Sequence, residues 1–120
     1  MQSLRRKSDI RRALQEGRRF HSPQAVLHAR PRREEDRGTA GIRLTVVAGR
    51  RFGNAVLRNR ARRIIHEASR ALLRDGAGAW DLLVVARPSA LEQSYDSRVT
   101  TLRALLQQAG VLPLACGAAA

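Results

Sequence analysis

The chain has 120 residues, 43% of them hydrophobic, and its 23 Lys and Arg against 10 Asp and Glu give a formal net charge of +13. That length suits one domain with a modest core rather than a two-domain enzyme. No run approaches the roughly 20 apolar residues of a membrane span, and the basic opening MQSLRRKSDIRRALQEG lacks the apolar stretch of a secretory signal.

Ser8 has the chemistry of an N-cap and opens a short helix with Ile10, Ala13 and Leu14 on one face and Gly17 as its stop. Residues 18–29 read as extended, divided by Pro23 into a short piece over 19–21 and a better strand over 25–29. The polar, Gly-bearing segment 31–41 reads as a loop, and the Val- and Leu-rich stretch 42–48 as a strand. Asn54 caps the longest helix, which runs to about Arg74 before Gly76 and Gly78. Residues 80–86 form a short apolar run closed by Arg87-Pro88, the pattern of a buried strand. Ser94 or Ser97 starts a last helix with Tyr95, Val99, Leu102, Leu106 and Ala109 at helical spacing, and Gly110 ends it. The Ala-rich tail 111–120 is expected to fray. Helix, strands, helix, strand and helix in that order predict an α+β sandwich in one domain over 1–110.

The charge is unevenly placed. Arginine supplies 22 of the 23 basic residues, and 20 of those basic residues precede Asp75. Eight arginines fall between Arg50 and Arg74 against one acid, Glu67. At about 100° per residue, Leu57, Ala61, Ile64, Ile65, Ala68, Ala71 and Leu72 share one arc of the long helix. Arg58, Asn59, Arg60, Arg62, Arg63, His66, Glu67, Ser69, Arg70 and Arg74 fill the other. One face is built for a sheet and the opposite face is nearly all arginine. Like charges four residues apart are unfavourable in an isolated helix, so the sequence calls for an anion. Guanidinium forks grip phosphates in a bidentate way, and a strongly basic domain is a nucleic-acid candidate.

Signals for a protein active site are poor. His21, His28 and His66 lack metal-ligand spacing, Cys116 is solitary, and the acids stand singly apart from Glu34, Glu35 and Asp36 in the loop. No carboxylate cluster offers magnesium ligands for a protein-only nuclease. Among the few aromatics, Trp80 reads as packing and Phe52 as a hydrophobic staple, while Phe20 reads as a core plug or a stacking residue. One cysteine excludes a disulfide framework and makes the reducing cytoplasm the expected compartment. The residues alone leave open a small ribosomal or other structural RNA-binding protein, a DNA-binding module and a stand-alone nuclease.

The stretch RRFGNAVLRNRARRIIHEASR over 50–70 resembles the signature of the bacterial ribonuclease P protein family, with Arg58-Asn59-Arg60 as its RNR box after Gly53 and Ala55-Val56. The resemblance extends over about residues 4–110. It implies a small mixed four-stranded sheet with three helices in a two-layer sandwich, in the order α-β-β-β-α-β-α, with a left-handed crossover around the long helix. It also implies the protein subunit of an endoribonuclease that removes the 5′ leader of precursor tRNA, with catalysis and magnesium ions belonging to the RNA and no protein-bound cofactor. The implied partners are the ribonuclease P RNA and precursor tRNA, one protein per RNA, away from membranes. The implied RNA-binding residues are Arg50, Arg51, Asn54, Arg58, Asn59, Arg60, Arg62, Arg63 and Arg70. A leader cleft between the first helix and the sheet corresponds to Ile10, Arg11, Leu14, Phe20 and His28; where the family commonly has aromatic residues, this chain has Ile10, Leu14 and His28.

Overall fold

The computed structural model describes residues 2–3, 7–31, 41–49, 52–75 and 79–112. In chain order these form β1 (Gln2–Ser3), α1 (Lys7–Glu16), β2 (Arg18–His21), β3 (Ala25–Pro31), β4 (Ile42–Ala48), α2 (Ala55–Leu72), β5 (Trp80–Ala86) and α3 (Tyr95–Ala109). Apart from the two-residue β1, this is the expected α-β-β-β-α-β-α order. The strands lie in the sheet order β1-β4-β5-β3-β2. β4 and β5 are parallel and joined through α2, whereas β5–β3 and β3–β2 are antiparallel. The sheet is therefore mixed, and β5, the last strand in sequence, is its centre.

Local chemistry sets the helix ends. Asn54 takes the N-cap of α2, its side-chain oxygen accepting from the Leu57 N–H at 2.9 Å. Ser94 caps α3 in the same way by accepting from Ser97 N–H at 3.1 Å. Gly110 ends α3 with φ of 88°, a left-handed conformation that glycine adopts without penalty. Gly17 has another reason to be glycine. A Cβ there would lie 2.3 Å from the Ala13 carbonyl oxygen and 3.2 Å from that of Ala29, so the exit from α1 presses backbone against backbone on β3.

Strand alternation divides the sheet into two faces. Ala25, Leu27 and Ala29 of β3, Ile42, Leu44 and Val46 of β4, and Leu82, Val84 and Ala86 of β5 join the main core. That core also holds Ala61, Ile65, Ala68 and Leu72 of α2 and Leu102, Leu105, Leu106 and Ala109 of α3. The opposite face carries α1, whose Ala13 is buried against Leu83 with Ile10 alongside. The main core is the expected two-layer sandwich, and α1 adds a partial layer behind it.

Several expectations shift in detail. Ser69, placed with the polar arc of α2, is buried at 2% exposure, while Ala71 is exposed; the face that packs is rotated toward Ser69. Tyr95 is exposed rather than part of the α3 packing stripe, because it sits in the first turn beyond the reach of the core. Val111 and Leu112 are buried in the main core, so the packed chain passes the expected boundary at residue 110. The remainder of the tail with Cys116, and the acidic loop trio Glu34, Glu35 and Asp36, lie outside the described residues.

Candidate nucleic-acid interface

α2 lays Ala61, Ile65, Ala68 and Leu72 on the core and turns its other side outward. Asn59, Arg60, Arg62, Arg63 and Arg70 are exposed there, and Arg58 is half-buried at the boundary. Asn59 accepts a hydrogen bond from Arg62, one turn away, which holds that guanidinium against the helix surface. Among the described residues no carboxylate pairs with Arg58, Arg60, Arg62, Arg63 or Arg70. Five guanidiniums against the single acid Glu67 on one helix face form a high positive potential. Val56, 76% exposed, lies on the same outward side and adds an apolar contact to a polar surface. Of the entry-turn candidates, Asn54 has its side-chain oxygen committed to the helix cap, and Arg50 and Arg51 lie outside the described residues.

The α1 face of the sheet has three rows of side chains, defined by the strand register. Arg30, Asp81 and Arg43 form the first, His28, Leu83 and Thr45 the second, and Val26, Val85 and Val47 the third. β2 extends the second row with Arg19 and the third with His21. α1 crosses the first row, and the third stays open. A cleft of about 450 Å³ occupies that open part, lined by Arg19, Val26, His28, Gly49, Phe52, Val85, Ala86, Arg87 and Pro88.

His28 is 9% exposed, and its Nδ1 has no hydrogen-bond partner among the described residues. Burial holds its imidazole below the ordinary pKa of 6.5, and the nearby positive charges of Arg19 and His21 push the same way. At neutral pH it is therefore an uncharged donor–acceptor in the wall of a basic cleft.

The predicted cleft residues divide. His28 lines the cavity; Ile10, Arg11 and Leu14 do not. Ile10 packs toward Leu83 of the second row, and Leu14, one turn on and 48% exposed, continues that flank of α1 above the open rows. Arg11 is exposed on α1. Phe20 is a correction. It pairs in register with Leu27, packs against the main core on the opposite face, and has the Arg18 guanidinium 5.6 Å from its ring centroid. Strand parity points it away from His28, so it is no wall of the cleft. The aromatic ring that does line the cleft is Phe52, which also reaches the core at 6% exposure. Its position just ahead of the α2 cap was a staple signal, and nothing in the local sequence marked it as a cleft residue.

The first row holds the one ionic cluster that sequence reading missed. Asp81 is fully buried and receives a fork from Arg43, Nε to Oδ1 and Nη2 to Oδ2, both at 2.8 Å. Arg30 Nη1 lies 3.5 Å from Asp81 Oδ2. Arg43 Nη1 reaches Asp9 of α1 at 3.3 Å, and Arg30 Nε lies 3.5 Å from Glu16 of α1. The hydrogen bonds to Asp81 hold the Arg43 guanidinium above its ordinary pKa range, so its charge is permanent. Among the described residues no three His, Cys, Asp or Glu side chains come together to hold a metal ion. Asp81, the most buried carboxylate, is already engaged by two guanidiniums.

An α+β scaffold with an arginine-rich helix face on one side and a cleft bearing Arg19 and Arg87 on the other has the charge pattern of a polyanion-binding protein. A family model described as Ribonuclease P matches residues 1–110. The ribonuclease P protein component of Chloroflexus aurantiacus is 39% identical over 111 residues, covering 92% of this chain and 78% of the relative. That of a Cyanothece strain is 31% identical over 121 residues, covering 91% and 92%. The solved RNase P protein of Staphylococcus aureus superposes with a TM-score of 0.77 at 25% identity, over 93% of this chain and 98% of that one. The Thermotoga maritima RNase P protein shares the fold with a TM-score of 0.69 at 24% identity, over 88% and 96%. The chain belongs to the ribonuclease P protein family.

Proposed function

We propose that this chain is the RNA-binding subunit of ribonuclease P, assisting a catalytic RNA in removing the 5′ leader of precursor tRNA. The observation that carries the reading is the arginine face of α2, free of paired acids among the described residues and held by the packing of its other face, in a chain matched by the family model over nearly its whole length. Arg58, Arg60, Arg62, Arg63 and Arg70 displace counterions from phosphates of the RNA subunit. The leader of the substrate runs along the open rows of the sheet. Phe52, Val26 and Val85 offer apolar contact there, Arg19 and Arg87 offer charge, and His28 a polar group suited to a base edge or a phosphate.

The reaction itself is assigned to the RNA, together with its magnesium ions. Among the described residues the acids are spread over the fold or spent in ion pairs, and no three His, Cys, Asp or Glu side chains come together to hold a metal ion. One protein acts with one RNA, in the cytoplasm. Reconstitution with a bacterial ribonuclease P RNA and precursor tRNA at low magnesium tests this. The expected outcome is a clear gain in 5′ cleavage over RNA alone. No gain overturns the reading, and cleavage by the protein without RNA overturns the assignment of catalysis to the RNA.

A further inference from the structure

α1 is a weakly docked helix by apolar measure. Ala13 is its one buried residue, and Ile10 is its one further apolar contact with the sheet cluster. Yet it lies on the same face of the sheet as the cleft, packed on Leu83 in the row beside it. The side that meets the sheet is Asp9, Ala13 and Glu16, which helical spacing places in one narrow stripe. The two acids at the ends of that stripe each meet a different strand: Asp9 meets Arg43 on β4 and Glu16 meets Arg30 on β3, with β5 between them. Seven residues of helix rise about 10.5 Å, and two strand spacings are about 9.6 Å. The helix therefore spans the two strands as a bar across supports. Both supporting guanidiniums are fixed from below by one carboxylate, that of Asp81, which is fully buried.

We infer that Asp9 and Glu16 are positioning residues for the leader cleft, fastening α1 through Arg43 and Arg30 to the buried Asp81 and so fixing the height of its Ile10–Leu14 flank above the open sheet rows. The inference rests on the proposed leader reading and adds to it a device that no RNA-contacting residue supplies. It also accounts for acids near a surface meant for a polyanion: Asp9 is paired with Arg43, and the more exposed Glu16 with Arg30 and Arg12.

The test is the double variant Asp9→Asn/Glu16→Gln, which frees α1 while leaving the Arg43–Asp81 fork intact. Two measurements are made on the full chain: hydrogen exchange of the α1 amides in the free protein, and, in the reconstituted holoenzyme, affinity for precursor tRNA relative to leaderless tRNA. Exchange in α1 should quicken while β5 stays protected. The preference for leader-bearing substrate should shrink about two- to tenfold, the scale of losing two partly exposed ion pairs. Affinity for the RNA subunit should persist. A purely electrostatic role predicts the opposite sign, since removing two negative charges tightens binding to any RNA, and the conservative Asp9→Glu change should retain the preference. Unchanged α1 exchange, or a leader preference equal to or above that of the parent, overturns the inference. A parent holoenzyme with no leader preference overturns the leader reading, and the positioning role with it, a result told apart by α1 exchange that still quickens.

Discussion

At the scale of single residues, His28 carries the clearest pH signature. Its folded-state pKa lies below the ordinary 6.5, so between the two values the unfolded chain binds more protons than the folded one. The stability it contributes is complete above 6.5 and is lost as pH falls through 6.5 toward the folded value. Urea melts at several pH values between 8 and 5 should show stability falling faster in the parent than in His28→Asn. Parallel pH profiles for the two proteins would contradict this. Residue roles were legible in the sequence only where they depended on near neighbours. Asn54, Ser94 and Gly110 announced themselves because a cap acts within three or four positions. Phe20 and Phe52 did not, because the side of the sheet a ring faces is decided by strand parity and pairing with residues elsewhere in the chain. The ionic row was hidden for the same reason: Asp9, Arg43 and Asp81 each look solitary in sequence and meet only in the folded sheet.

At the scale of elements, the exit of α1 leaves no room for a side chain at Gly17. Gly17→Ala would thrust a methyl group against the carbonyls of Ala13 and Ala29, neither of which can give way like a flexible side chain. Such overpacking typically costs about 1–3 kcal/mol. Chemical denaturation should show a loss on that scale, with α1 and β2 more exposed to proteolysis; an unchanged midpoint would mean that the helix backs away freely. Element order and type were legible because hydrophobic periodicity and turn residues agree with each other over α2, β5 and α3. The packing face of α2 was legible to within part of a turn, and the error at Ser69 and Ala71 arose because α3 as well as the sheet presses on that helix. The docking face of α1 was legible in part: Ile10 and Ala13 pack on Leu83 as their spacing implies, Leu14 stays half-exposed, and the ionic contacts of Asp9 and Glu16 with the sheet left no local trace.

At the scale of the molecule, the +13 charge separates into parts with different work. Arg30 and Arg43 are engaged by Asp81 within the fold, and the arginines of α2 lie on its outer face. Affinity for the ribonuclease P RNA should accordingly fall with salt, with a log–log slope of about 0.7–0.9 for each phosphate neutralised. Arg62→Ala should lower that slope by about one with little effect on folding, since its side chain is exposed and bonds only to Asn59 among the described residues. A filter-binding or fluorescence titration over a range of potassium chloride concentrations measures both, and a flat response would refute the electrostatic account.

The place of β5 has a consequence for how the chain folds. It pairs with β4 on one side and β3 on the other, joining Ala25 to Ala86 and Ile42 to Trp80. Both partners precede β5 in the chain, and they have no full sheet to join until it takes its place between them. Folding must therefore close two long loops around one late strand, which makes it slow relative to a protein of the same size built from neighbouring contacts. During that interval the arginines of α2 repel one another with no sheet behind them.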